Sequence, residues 1–140
     1  MKQRVEEPTH EELLRIDAQR SWVRDHFELD ARGQYETVDG KLRLLDAILS
    51  QDWIRSDETV KLQCLGIAFG DILVQDLGLR WITVEDEYGR DPALKLDGSS
   101  VLVFPLTTIS KRVERGEKVD VYALLELSRT TIGDVVRRST

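Results

Sequence analysis

The sequence predicts a helix-rich α+β domain with about five helices and a three-stranded antiparallel sheet packed on a central buried helix. The segment Asp57–Leu77 is apolar around nearly its whole circumference, as expected of a helix that is covered on most sides. Three short β-prone runs follow it with short polar connections, which is typical of an antiparallel meander. A chain of 140 residues suits one domain, so we expect residues 1–140 to form a single unit.

The first helix is predicted over Thr9–Leu29. Thr9 and Glu12 fit a capping box, in which each side chain accepts a hydrogen bond from the other residue's backbone N–H. The apolar residues fall on two nearly opposite faces, one with Leu13, Ile16, Val23 and Phe27 and the other with Leu14, Ala18, Trp22 and Leu29. Because both faces need cover, residues 1–30 are a candidate association element. The candidate interface residues are Leu14, Ala18 and Trp22, and the expected partner is another protein or a second copy, as a homodimer through residues 9–29.

A loop over Asp30–Gly40 and a short helix over Lys41–Ser50 are expected before the central helix. Within the central helix, Gly66 and Gly70 lie one turn apart, although glycine there costs about 1 kcal/mol relative to alanine. This cost favours the interpretation that another backbone approaches the helix closely. Gly78 follows the helix as a natural left-handed terminator.

The strands are predicted from runs of β-branched, aromatic and other apolar residues. They span Leu79–Val84, Ala93–Leu96 and Val101–Phe104. Two helices complete the domain. The first spans Leu106–Arg115, and the second spans Val121–Arg137 with Asp120 as its cap.

Composition argues against several classes of protein. The net charge is −6, and nonspecific nucleic-acid binding needs clustered Lys and Arg, so we expect no nucleic-acid partner. There is no apolar run of about 18 residues and no secretory signal at the N-terminus, so we expect no membrane partner. The single cysteine, Cys64, cannot form an internal disulfide, and we expect a cytoplasmic protein.

The segment Glu85–Asp91 carries four carboxylates in seven residues. Carboxylate oxygens can bind Ca²⁺ or Mg²⁺, but the spacing does not match an EF-hand loop. The favoured interpretation is a hairpin turn, in which Asp86 initiates the turn and Gly89 takes a positive φ.

A local basic patch occurs at Lys111, Arg112 and Arg115 on the fourth predicted helix. It can bind an anion or an acidic partner, or pair with the acidic segment of the same chain, and a simply solvated face is favoured. The two segments together form the candidate polar surface, which consists of Asp86, Glu87, Tyr88, Arg90, Asp91, Lys111 and Arg112.

Asp71 lies in the most apolar helix and needs a partner if it is buried. A structural ion pair, with Arg80 or with a residue of the final helices, is favoured over an acid–base role. The chain contains no phosphate-binding loop, nucleophile elbow, His-Glu-x-x-His or Cys-x-x-Cys motif. We therefore predict no catalytic, cofactor-binding or metal-binding residue.

From Leu77 onward the chain resembles a bacterial family of small single-domain proteins of unknown function. The residues that carry the resemblance are Leu77-Gly78, Trp81, Asp86-Glu87-Tyr88-Gly89-Arg90-Asp91-Pro92-Ala93, Pro105, Ile109-Ser110-Lys111-Arg112 and Glu114-Arg115-Gly116. The resemblance covers a third to a half of the chain, and it implies a small stand-alone bacterial domain. It brings no functional residues with it, because the family has no assigned activity.

Two functional hypotheses remain open. The favoured one is a non-enzymatic protein-interaction or regulatory domain, of which an immunity-type or inhibitor protein is one version. The alternative is a small ligand-binding or metal-binding domain, or an enzyme, that uses the Glu85–Asp91 loop and the Lys111–Arg115 helix. The alternative requires the two segments to converge on one pocket.

Overall fold

The computed structural model describes residues 3–138 and confirms the α+β class. In chain order, its elements are β1 (Arg4–Glu6), α1 (His10–Arg24), α2 (Val38–Ser50), α3 (Thr59–Leu77), β2 (Arg80–Asp86), β3 (Gly89–Lys95), β4 (Leu102–Val103), α4 (Thr108–Glu114) and α5 (Val121–Arg138). Two short 3₁₀ helices occur at Leu29–Glu36 and Pro105–Thr107.

Helix α3 is the centre of the core, as its apolar sequence predicts. Leu65, Ile72 and Leu73 are fully buried within it. The two helical glycines lie where other parts of the chain approach. A Cβ at Gly66 would stand 2.3 Å from the carbonyl oxygen of Pro105, and one at Gly70 would stand 2.6 Å from the indole of Trp81. The predicted close approach is therefore present, by backbone at the first glycine and by a side chain at the second.

The sheet is antiparallel with the order β1-β2-β3-β4. Asp86 pairs with Gly89, so the turn between β2 and β3 has only two residues, Glu87 and Tyr88. This hairpin is tighter than the sequence predicts, because β3 starts at Gly89 instead of position 93. Pro92 is tolerated in β3 because β4 pairs only farther along the strand.

Strand β1 is the element that the sequence analysis missed. It pairs along β2 through Arg4 with Glu85, Val5 with Val84 and Glu6 with Thr83. A three-residue stretch with two charges carries no strand pattern, and its pairing partners lie about 80 residues away. Only the tertiary fold can place it.

Helix α1 is part of the compact body. It has the predicted capping box but ends at Arg24, five residues earlier than expected. Ile16 and Val23 are buried. The following stretch, predicted as loop, contains the first 3₁₀ helix and buries Tyr35.

Candidate interaction surface

One side of α1 faces the core and the other faces outward. Leu14 is 55% exposed, and Ala18 is exposed one turn later. Trp22, another turn along, is half-buried and packs against the core. These residues recur every four positions, so they form one stripe along the helix. We call Leu14, Ala18 and Trp22 the outer stripe of α1.

Asp71 determines which side of α1 faces inward. Its carboxylate accepts two hydrogen bonds from Arg20 of α1, from Nε and Nη2 at 2.8 Å each. It also accepts the Tyr35 hydroxyl at 2.9 Å and Trp81 Nε1 at 3.1 Å. The partner is thus Arg20, whereas Arg80 binds Glu7 and Asp97. Four donors converge on one buried carboxylate, which makes it a structural centre.

The electrostatics of this centre follow from burial and from the ion pair. The hydrogen bonds to Asp71 raise the pKa of the Arg20 guanidinium, so it stays charged. Burial, followed by the Asp71 carboxylate, raises the pKa of Tyr35 well above its usual value. Tyr35 therefore remains a neutral hydrogen-bond donor. Arg20 and Tyr35 are thus both donors to the Asp71 carboxylate, as expected of a structural ion pair.

An aromatic cluster lies at the C-terminal end of the outer stripe. The His26 ring meets Trp22 edge-on at 4.6 Å between centroids, and it stacks on Trp53 at 6.1 Å. His26 Nδ1 lies 2.9 Å from the Trp22 carbonyl oxygen. Trp53 is about half exposed. The cluster of Trp22, His26 and Trp53 therefore continues the outer stripe onto the loop after α2.

The N-terminal end of α1 is fastened to the sheet by Glu12. Arg90 donates to both of its carboxylate oxygens, at 3.1 and 3.0 Å, and the Thr83 hydroxyl donates at 3.1 Å. The Arg90 hydrogen bonds are the main cause that lowers the pKa of Glu12 to about 2. Arg90 also binds Glu6 at 2.7 Å. This predicted surface residue is thus occupied in joining α1, β1 and β3.

The remaining acidic residues belong to the hairpin turn. Asp86 accepts the Tyr88 N–H at 2.8 Å, and Gly89 has φ 123°, as the turn interpretation predicts. Glu87, Tyr88 and Asp91 are exposed.

The basic residues lie elsewhere, on α4. Lys111 is exposed, and Arg112 Nη1 donates to the Thr108 carbonyl at 2.8 Å. Arg115 pairs with Glu117 at 2.8 Å. Within residues 3–138, no hydrogen bond or ion pair joins the acidic turn to the basic helix.

A groove with a volume of about 860 Å³ opens between the end of α2, the loop before α3, and the end of α4. Its apolar lining consists of Ile48, Leu49, Ile54, Leu62, Val113 and Val119. Asp52, Arg55, Asp57, Glu117 and Lys118 supply charge to the same lining. Of the predicted basic segment, only Val113 contributes to this groove.

No three His, Cys, Asp or Glu side chains among residues 3–138 are grouped so that they could hold a metal ion. No helix in this part is both long enough and apolar enough to span a membrane.

Trp53 and the groove were missed by sequence reasoning. Trp53 stands in an irregular segment, where no periodicity indicates which residues are exposed. An exposed tryptophan in a polar loop was the only available signal. The groove is formed by residues from three separate parts of the chain, so its presence depends on the tertiary fold.

Comparison with known proteins gives a family and a fold. A family model described as a domain of unknown function (DUF3806) matches residues 41–124, which is more than half of the chain. A crystal structure from Bacteroides thetaiotaomicron VPI-5482 is similar, with a TM-score of 0.70 and 16% sequence identity. The match covers 88% of this chain and 46% of that chain, so the present chain spans about half its length. No curated protein matches.

Proposed function

This chain belongs to the DUF3806 family of domains of unknown function, and from that premise we propose that it is a non-enzymatic protein-interaction domain. The contact surface is the outer stripe of α1, and the partner is a second copy of the chain. The observation that carries the proposal is that Leu14 and Ala18 of the outer stripe are exposed on the side of α1 opposite to the buried Ile16 and Val23.

The spacing of the stripe suits pairing with itself. Ala18 stands midway between Leu14 and Trp22, four residues from each. If two copies of α1 cross antiparallel about a two-fold axis at Ala18, each Leu14 meets the Trp22 of the other copy. A small residue at the crossing lets the helix axes approach closely, and helices pack at about 8–10 Å. Such an isologous contact closes as a dimer.

The aromatic cluster extends this surface with the residue types that dominate protein interfaces. Tryptophan is enriched among residues that contribute most to binding, because it combines a large apolar area with an N–H donor. Trp53 is about half exposed and is stacked on His26, so its ring is held in place before any partner arrives. Contact here therefore costs little side-chain entropy.

Light scattering of the purified chain tests the proposal. We expect a dimer whose mass falls to that of the monomer in Leu14→Glu. The matched control is Leu127→Glu on α5, because Leu127 is 54% exposed against 55% for Leu14. Leu14 is a cleaner site than Trp22, since Trp22 also packs against the core. A monomeric unaltered chain, or equal loss of dimer in both variants, would overturn the proposal.

The groove favours a second candidate function, the binding of a small amphiphilic molecule. Its volume of about 860 Å³ lies in the range of ligand pockets, roughly 300–1,000 Å³. We would titrate the fluorescent naphthalene sulfonate ANS into the chain and into Val113→Glu, which places a charge in the apolar lining. Saturable binding that Val113→Glu abolishes would support this candidate. Weak binding that is equal in both proteins would remove it.

A further inference from the structure

Strand β1 has an open edge. Among residues 3–138, it forms one end of the four-stranded sheet and pairs with β2 alone. Arg4, Val5 and Glu6 are all exposed, and among the described residues no strand pairs with the outer edge of β1. The outer N–H and C=O groups of an edge strand can pair with a further strand.

The sequence of β1 is complementary to itself in charge. In antiparallel pairing centred on Val5, Arg4 of each copy stands opposite Glu6 of the other. Both side chains already have partners in their own sheet, since Arg4 pairs with Glu85 and Arg90 pairs with Glu6. Across the seam the charges would then alternate. Arg90 and Glu6 of one copy would be followed by Arg4 and Glu85 of the other copy. Opposite charges across neighbouring strands are favourable, and like charges are unfavourable.

The other face of β1 is complementary in apolar surface. Val5 pairs with Val84, so both side chains point to the same face of the sheet. Val84 belongs to a small buried cluster with Ile82 and Ala93. Val5 remains 44% exposed beside this cluster. Two Val5 side chains meeting on a two-fold axis would cover one another and continue the cluster into the second copy.

We propose that two copies pair antiparallel along β1, with Val5 on the two-fold axis, and join their sheets into one of eight strands. The inference rests on the proposed function and deepens it, because it states how the second copy is held. Residues 7–9 connect β1 to α1, so the start of α1 lies within about 14 Å of the seam. Pro8 limits the pairing to a short stretch because it has no N–H to donate.

The two contacts have different roles in this dimer. Three residues of strand cover much less than the roughly 1,200–2,000 Å² that stable interfaces bury. Because a closed dimer has one two-fold axis, the proposal places both Val5 and Ala18 on it. The seam then sets the register of the two copies, and the outer stripe of α1 supplies most of the affinity.

A disulfide across the axis tests the seam. Opposite residues of an antiparallel pair have Cα atoms about 4.5–5.5 Å apart, which a disulfide can bridge. We expect Val5→Cys to form a covalent dimer with glutathione disulfide as the oxidant, which takes up the two electrons and two protons that the thiols lose. The native Cys64 is buried. The control is Val60→Cys on α3, because Val60 is 72% exposed and far from β1 in sequence.

The outcomes separate this inference from the proposed function. A dimer by light scattering in which Val5→Cys does not cross-link would overturn the β1 seam and leave the outer stripe standing. A monomeric unaltered chain would overturn both. Equal cross-linking of Val5→Cys and Val60→Cys would show random collision and would also overturn the seam. Cross-linking of Val5→Cys that Leu14→Glu strongly reduces in the same chain is the result that we expect.

Discussion

Asp71 of α3 and Arg20 of α1 form a two-point ion pair, with both N–H···O distances at 2.8 Å. Because Arg20 points inward to reach this carboxylate, the opposite side of α1 is left facing solvent. The orientation of the outer stripe thus depends on a contact between residues 51 positions apart.

We expect Asp71→Asn to destabilise the fold by about 2–3 kcal/mol, because it removes the buried counter-charge of Arg20 and leaves only the exposed Asp17 at 3.3 Å. Urea unfolding followed by tryptophan fluorescence measures the change. The matched control is Asp57→Asn, which removes a carboxylate from the exposed pair with Arg55. That variant should unfold with the unaltered midpoint. An equal loss in both variants would show that Asp71 is no more important than a surface charge.

Glu12 should make the stability depend on acid pH. Its pKa is lowered from 4.5 to about 2 in the folded chain, chiefly by the hydrogen bonds from Arg90. A lowered pKa means that the carboxylate stabilises the fold above pH 4.5, and that this contribution is lost as the pH falls towards 2. Glu12→Gln should therefore reduce stability at neutral pH and flatten its fall over that interval.

The comparison for Glu12 is Glu11→Gln. Glu11 is exposed and makes no ion pair among residues 3–138. This variant should keep the pH dependence of the unaltered chain in urea unfolding at a series of pH values. An unchanged pH profile in Glu12→Gln would contradict the pairing with Arg90.

Replacement of two helical glycines by alanine should change the stability of the fold in opposite directions. A Cβ at Gly66 would meet the carbonyl oxygens of Pro105 at 2.3 Å and Leu106 at 2.8 Å. Because backbone cannot yield easily, Gly66→Ala should cost about 1–3 kcal/mol. Among the described residues, a Cβ at Gly133 of α5 would have one neighbour within 4 Å, Arg137 Nη1 at 3.7 Å. Gly133→Ala should stabilise by up to about 1 kcal/mol, through helix propensity. Thermal unfolding of both variants measures whether each one is less or more stable than the unaltered chain.

Asp120 caps α5 and should be worth about 1 kcal/mol. Its carboxylate accepts the N–H groups of Tyr122 at 3.0 Å and Ala123 at 3.2 Å, and these have no other helical partner. Asp120→Ala should lower the unfolding midpoint, whereas Asp120→Asn should nearly preserve it, because the amide oxygen can accept the same bonds. A midpoint that falls equally in both variants would assign the effect to charge instead of capping.

Most of the local structure could be predicted from the sequence. The capping box of Thr9 and Glu12, the left-handed Gly78 and the turn at Asp86 all appear as expected. Each depends on residues only a few positions apart, so the signal lies within one short window.

Element ends were predicted less well where packing decides them. Helix α1 ends at Arg24, and a 3₁₀ helix in which Tyr35 is buried follows it. Periodicity alone would continue the helix to Leu29. The hydroxyl of Tyr35 reaches Asp71 at 2.9 Å, which is a contact that no local pattern contains.

The sequence by itself determined the α+β class, the buried central helix and the two apolar faces of the first helix, because these follow from spacing along one element. Only the tertiary structure decided that β1 is an edge strand, that Arg20 is the partner of Asp71, and that the acidic turn and the basic helix share no hydrogen bond or ion pair. The physical reason is that pairing between distant segments depends on which surfaces meet when the whole core packs. Charge and hydropathy along the chain do not specify that arrangement.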